Sequence, residues 1–94
     1  MHSVDYVYTG PDGQQIEIEV YAKNFGDDLI DKLVEARKEK GLTQQDIADA
    51  TGLQRANVSR FERKTYAPSI EIMTKYAAAL GKRIDFELKD NEEN

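Results

Sequence analysis

Residues 44–62 constrain the fold more than any other stretch of the chain. They read Gln44-Gln-Asp-Ile-Ala-Asp-Ala-Thr-Gly52-Leu-Gln-Arg-Ala-Asn-Val-Ser-Arg-Phe61-Glu62. Two short helical patterns flank a turn built on Thr51-Gly52-Leu53, and Gly52 permits the positive φ that such a turn needs. Ala48 is small enough for two helices to cross closely. Ile47, Ala48, Leu53, Val58 and Phe61 are the inward positions. With those inward, a 100° wheel sets Ala56, Ser59, Arg60 and Arg63 on the opposite face of the later helix, and Arg55 in its exposed first turn. That outer face is short, polar and basic. A helix of this kind suits a major groove, where short and basic side chains approach base edges.

The flanking segments are punctuated by local chemistry. Leu29, Ile30, Leu33 and Val34 mark a first helix over residues 27–40. Asp27, Asp28 and Asp31 stand at its start and Arg37, Lys38 and Lys40 at its end, both favoured by the helix dipole, and Gly41 suits a left-handed C-terminal cap. Thr43 and Asp46 form a capping box for a second helix over 44–50, with Asp in the place usually held by Glu. The third helix spans about 55–64. Ser69 caps a fourth, which ends at Leu80 before Gly81. Its stripe Ile70, Met73, Ala77 and Leu80 is expected to close the core, leaving Ile72, Tyr76 and Ala79 for another cover.

Both ends alternate with period two. Residues 4–9 and 15–22 read as the strands of a β-hairpin around Gly10-Pro11-Asp12-Gly13, with Ile16, Ile18 and Val20 on one face. Residues 83–88 read as a last strand, with Ile84, Phe86 and Leu88 on one face, and the tail from Asp90 as disordered. An isolated hairpin is marginal in water, so it should pack on the helices or gain a third strand. Tyr6, Tyr8 and Tyr21 could form an aromatic platform for single-stranded nucleic acid, but their surroundings are acidic, which favours packing within the hairpin.

Ninety-four residues make one structural unit. We divide it into a hairpin extension (1–25), a helical domain (26–82) and a C-terminal strand with an acidic tail (83–94). The fold class expected is mainly α with added β: four helices, an N-terminal hairpin and a C-terminal strand. The chain has no cysteine, which excludes disulfides, thiolate metal sites and cysteine nucleophiles. His2 is the lone histidine, so neither a metal site nor a histidine base is expected, and no cofactor. No Ser, His and Asp set and no phosphate-cradling glycine loop occurs, so an enzyme is not expected. Apolar runs are too short for a membrane span, and the start Met1-His2-Ser3-Val4-Asp5 is unlike a secretory leader. A cytoplasmic location follows as the expectation. The net charge of −5 is segregated: residues 29–83 carry eleven bases against seven acids, inside two strongly acidic flanks. Such a middle can bind a polyanion, or its cations can simply solvate helices.

Residues 29–82 resemble the lambda-repressor-like, Cro/cI or Xre-type, helix-turn-helix domain. The resemblance runs through Glu35-Ala-Arg-Lys-Glu-Lys-Gly-Leu-Thr-Gln-Gln-Asp-Ile-Ala48, through Val58-Ser-Arg-Phe-Glu62, and through Pro68-Ser-Ile-Glu71 with Ala77-Ala-Ala-Leu-Gly81. Gln54 stands where that family usually has a small capping residue, and a strand where it often has a fifth helix. The resemblance implies a double-stranded DNA-binding regulator of transcription, a repressor. It implies that Gln44 bonds a phosphate and braces the third helix, that Arg55 and Ala56 face base edges, and that Asn57, Ser59 and Arg60 contact bases or phosphates. Lys64 and Thr65 would touch phosphates from the following loop, with Arg63 a further neutralising cation. Asn57 could instead help cap the helix, and Arg63 and Lys64 could be plain surface cations. The same resemblance places an ion pair between Arg37 and Glu62.

Ala79-Leu-Gly-Lys-Arg-Ile-Asp-Phe-Glu-Leu88 also resembles HigA-type antitoxins, which implies as an alternative function a protein toxin partner and autoregulation of an operon. The acidic hairpin could dock a basic toxin by strand addition, or could only shield the core. Proteins of this type commonly dimerise to read two half-sites. A homodimer is expected to use Ile72, Tyr76, Ile84, Phe86 and Leu88, unless the last strand pairs with its own hairpin instead.

Overall fold

The computed structural model describes residues 7–90, in the order β1 (Val7–Thr9), β2 (Gln15–Glu17), α1 (Ile18–Glu39), α2 (Gln44–Thr51), α3 (Arg55–Glu62) and α4 (Ile70–Ala79). Residues 4–6 of the first expected strand, Tyr6 among them, and the tail beyond Asp90 lie outside the described residues. The fold is four helices with a small antiparallel β1–β2 hairpin in which Tyr8 faces Ile16. The reversal is closed by Gly13 N–H to Gly10 O at 2.9 Å and by Gln14 N–H to the Asp12 carboxylate at 3.0 Å.

The hairpin is shorter than the alternation promised, because the chain turns helical at Ile18. The helix α1 therefore starts nine residues before the expected position. Ile18, Tyr21, Ala22, Phe25 and Leu29 recur at helical spacing, and a continuous helix gains one hydrogen bond per residue added. A two-stranded ribbon offers less. Tyr21 then stacks on Tyr8, with ring centres 4.0 Å apart and planes 10° apart, which fastens the hairpin to the first turns of α1. Ile18 and Val20, expected on the buried face of a strand, are exposed on the helix. Asp27, Asp28 and Asp31 lie in mid-helix rather than at the positive end of a dipole.

All four helices contribute to one core: Ile30 and Leu33 from α1, Ile47 and Ala48 from α2, Val58 and Phe61 from α3, and Tyr76 and Ala77 from α4, with Leu80 at its C-cap. Phe61 and Tyr76 meet with ring centres 5.2 Å apart. α4 buries a face centred between the two stripes read from its sequence. Tyr76 belongs to the core, which removes it from the dimer residues, whereas Ile70 in the first turn projects past the core and stays 76% exposed. Ile72, Met73 and Ala79 pack on the core edge.

The stops are where local chemistry put them. Gly41, at φ 70°, ends α1: its N–H bonds Lys38 O, and the Leu42 N–H bonds Arg37 O. Gly81, at φ 73°, ends α4 with the same pair of bonds, to Ala78 O and Ala77 O. Residues 82–90, however, form no strand. Alternation supplies two faces but not a partner edge, and the described sheet stops at two strands. Ile84 packs against the core, while Phe86 and Leu88 are 87% and 93% exposed. No helix among the described residues is long and apolar enough to cross a membrane.

Candidate nucleic-acid interface

The candidate interface is built from the start of α2. Thr43 Oγ1 accepts the Asp46 N–H at 3.0 Å, and the Asp46 carboxylate accepts the Thr43 N–H at 2.8 Å, so the capping box closes fully with aspartate. Thr51 Oγ1 donates to Ile47 O at 2.7 Å and accepts the Leu53 N–H at 3.2 Å. Gly52, at φ 80°, ties back to Ala48 O. These bonds fix the angle between α2 and α3. Gln54 precedes α3 without supplying a side-chain cap.

Val58 and Phe61 anchor the inner side of α3, and Glu62 ties it to the rest of the domain. Arg37 grips Glu62 with two prongs, Nε to Oε2 at 2.8 Å and Nη2 to Oε1 at 3.0 Å. The third arm, Nη1, donates to Leu42 O at 2.8 Å. The Tyr76 hydroxyl donates to Glu62 Oε2 at 2.6 Å, and Gln44 Nε2 donates to Oε1 at 3.0 Å. The side chains of Arg37 and Glu62 are only 11% and 8% exposed. Burial opposes ionisation of Glu62, yet the bonds from Arg37, Tyr76 and Gln44 outweigh it and hold its carboxyl below the ordinary glutamate range. The bond to Glu62 likewise raises Arg37, against its desolvation. Burial, then the neighbouring carboxylate, pushes the Tyr76 hydroxyl well above the usual tyrosine range. Tyr76 went unread as a member of this network. Its signal was a polar-tipped aromatic beside the small side chains of Ala77 and Ala78 on a core helix.

With its inner side anchored, α3 presents Arg55, Ala56, Arg60 and the following Arg63 to solvent, with Asn57 and Ser59 half-buried between them. The Arg60 guanidinium bonds Asn57, and Arg63 Nη1 donates to Ser59 Oγ at 2.6 Å. Gln44 lies at the head of α2, its amide on Glu62. Thr65 Oγ1 caps back to Arg60 O at 3.4 Å. Lys64 does not join the outer face: its Nζ lies 2.7 Å from Asp31 of α1.

A family model described as Helix-turn-helix matches residues 33–86, more than half of the chain. The chain belongs to the helix-turn-helix family. The match begins within α1, so the hairpin and the first turns of that helix lie outside the matched residues. An uncharacterized HTH-type transcriptional regulator of Methanothermobacter thermautotrophicus is 40% identical over 48 residues, which are 51% of this chain and 70% of that protein. No solved structure matches. In a helix-turn-helix domain the second helix of the motif is the one placed in the major groove. The second helix of the motif in this chain is α3.

Proposed function

We propose that this helix-turn-helix chain is a sequence-specific regulator of transcription, a repressor, that binds double-stranded DNA through α3. One observation carries the reading: the inner side of α3 is fixed by Val58, Phe61 and the buried Glu62 network, while Arg55, Ala56, Arg60 and Arg63 are exposed on the other side. Arg55 in the first turn pairs with guanine O6 and N7, and Ala56 touches a thymine methyl. Arg60 and Arg63 neutralise phosphates, helped by Asn57, Ser59 and Thr65. Gln44 uses its amide oxygen side toward the duplex while its nitrogen braces Glu62. The protein works by binding, inside the cell, without a cofactor. It acts as a homodimer on two half-sites about 34 Å apart. Phe86 and Leu88, with Ile72 and Ile84, supply its interface.

Selection from a random duplex library, with the enriched site then titrated in a salt series, tests the reading. A defined site bound far more tightly than bulk DNA is the expected result. Equal affinity for all sequences contradicts it.

A second reading, an antitoxin with a basic toxin as partner, is favoured by one feature. The exposed Phe86 and Leu88 alternate with Asp85 and Glu87 in a segment that borders the hairpin around Val7–Thr9. A small toxin-like reading frame beside the gene, and co-purification of its product, would support that reading.

A further inference from the structure

Lys64 is the one non-glycine residue with a positive φ, 60°, among the described residues. It follows the C-cap of α3, and its N–H returns to Phe61 O at 3.1 Å. Had α3 continued one more turn, Lys64 would lie one helical step beyond Arg60, on the same outer face. The left-handed conformation, costly for any residue with a Cβ, turns it the other way. Its ammonium lands 2.7 Å from Asp31 Oδ1, on a helix 33 residues earlier in the chain.

Asp31 is not alone there. Asp27 and Asp28, one turn before it on α1, add to the negative field at the ammonium, and the hydrogen bond to Asp31 is the largest influence raising the Lys64 pKa. Asp27 has its own cation, Lys23, at 3.0 Å. These acids sit in mid-helix, so the helix dipole does not account for them. A duplex phosphate that reached for Lys64 would have to displace Asp31 and come within a few ångströms of it.

We propose that Asp31 is a positioning residue for DNA binding: by holding Lys64 it withholds one cation from the phosphate backbone and limits the footprint of α3. The inference rests on the DNA-binding reading above. Phosphate contact at this end of the interface is then left to Arg60 and Arg63. Each phosphate neutralised by a cation makes log K fall with log salt by about 0.9. Removing Asp31 should therefore add one such contact.

The test uses the full chain and a mixed-sequence 30-base-pair duplex, titrated from 50 to 200 mM salt. The proteins are wild type, Asp31→Asn, Asp28→Asn, Lys64→Gln and Asp31→Asn/Lys64→Gln. Asp31→Asn is expected to bind more tightly at 50 mM and to lose about 3.5-fold more affinity than wild type by 200 mM, the effect of about one added contact. Asp28→Asn removes the same charge without releasing Lys64, so its slope should match wild type. Lys64→Gln should also match, and the double variant should lose the gain. If Lys64→Gln folds poorly, Lys64→Gly, which suits the positive φ, takes its place. A wild-type slope for Asp31→Asn overturns the proposal, as does a gain that survives in the double variant. A shallower slope for Lys64→Gln alone overturns it too, because Lys64 would then already touch DNA. Wild-type protein that binds no duplex at all overturns the DNA-binding reading and this proposal together. Normal binding with an unchanged Asp31→Asn slope overturns this proposal alone.

Discussion

Glu62 is where the domain concentrates its polar cohesion. Its carboxylate receives Arg37, Tyr76 and Gln44, from three different helices, in a site almost closed to water. Glu62→Ala leaves the Arg37 charge and the Tyr76 hydroxyl buried without their acceptor. Breaking a buried pair in this way costs about 3–5 kcal/mol. Urea unfolding should show that loss, a large part of the stability of so small a domain. A change under about 1 kcal/mol would mean the pair behaves as an exposed one. Tyr76→Phe removes the bond donated to Glu62 and the longer one, 3.2 Å, accepted from Arg37 Nε, but leaves the ion pair, and should cost less, about 1.5–3 kcal/mol. The same network sets a pH window. The Glu62 pKa is lowered on folding, so its contribution is present above the ordinary value of 4.5 and is lost as pH falls through the depressed one. The Tyr76 pKa is raised, so its contribution is present below 10.0 and is lost as pH rises beyond it. Melting temperature against pH should fall on both sides. Tyr76→Phe should flatten the alkaline limb, and an alkaline limb unchanged in that variant would contradict the assignment.

Of the three helices that follow α1, α3 alone starts without a side-chain cap. Thr43 and Ser69 cap α2 and α4 through their hydroxyls, whereas Gln54 caps nothing. Gln54→Ser should supply the missing bond and stabilise by about 1 kcal/mol. Calorimetry should record a rise of about 4–8 °C for a domain of this size. A lowered midpoint would show that Gln54 contributes by some other contact. The same contrast explains what the sequence disclosed. Gly41, Thr43, Gly52, Ser69 and Gly81 act within three or four residues of themselves, so they can be read locally, and α2, α3 and α4 fall within a residue or two of where they mark. The outer face of α3 follows from Val58 and Phe61 being inward. The start of α1 was not legible, because Ile16, Ile18 and Val20 alternate cleanly and Gly26-Asp27 imitates a helix entry. The helix gains there by continuing into the rest of α1 and by Tyr21 stacking on Tyr8, a contact between elements. The last segment failed for the opposite reason: its alternation is good, but a strand needs an edge that no sequence pattern guarantees. Lys64 could not be placed on Asp31 from spacing, since the pair depends on one left-handed residue.

At the scale of the whole molecule, charge and exposed apolar surface divide the labour. The basic residues of α3 face outward on one side, while the acids of the flanks accompany the exposed Phe25, Phe86 and Leu88. Because Phe86 and Leu88 already stand in solvent, replacing both with aspartate removes little from the monomer fold. Light scattering should show a dimer for the native chain and a monomer for Phe86→Asp/Leu88→Asp, with weaker binding to a two-half-site duplex. A double variant that stays dimeric would place the interface elsewhere. Arg55→Ala should cost about 1–3 kcal/mol on the selected site and relax one base position. A loss equal on all sequences would make Arg55 a phosphate contact instead. The central claim is that the outer face of α3 meets DNA. Its most direct measurement is amide chemical-shift mapping of the full chain, titrated with the selected duplex. The largest shifts should fall on residues 54–60 and Arg63, with Gln44 and Thr65 beside them. Shifts confined to residues 7–25 and 84–90, with α3 unmoved, would contradict the account.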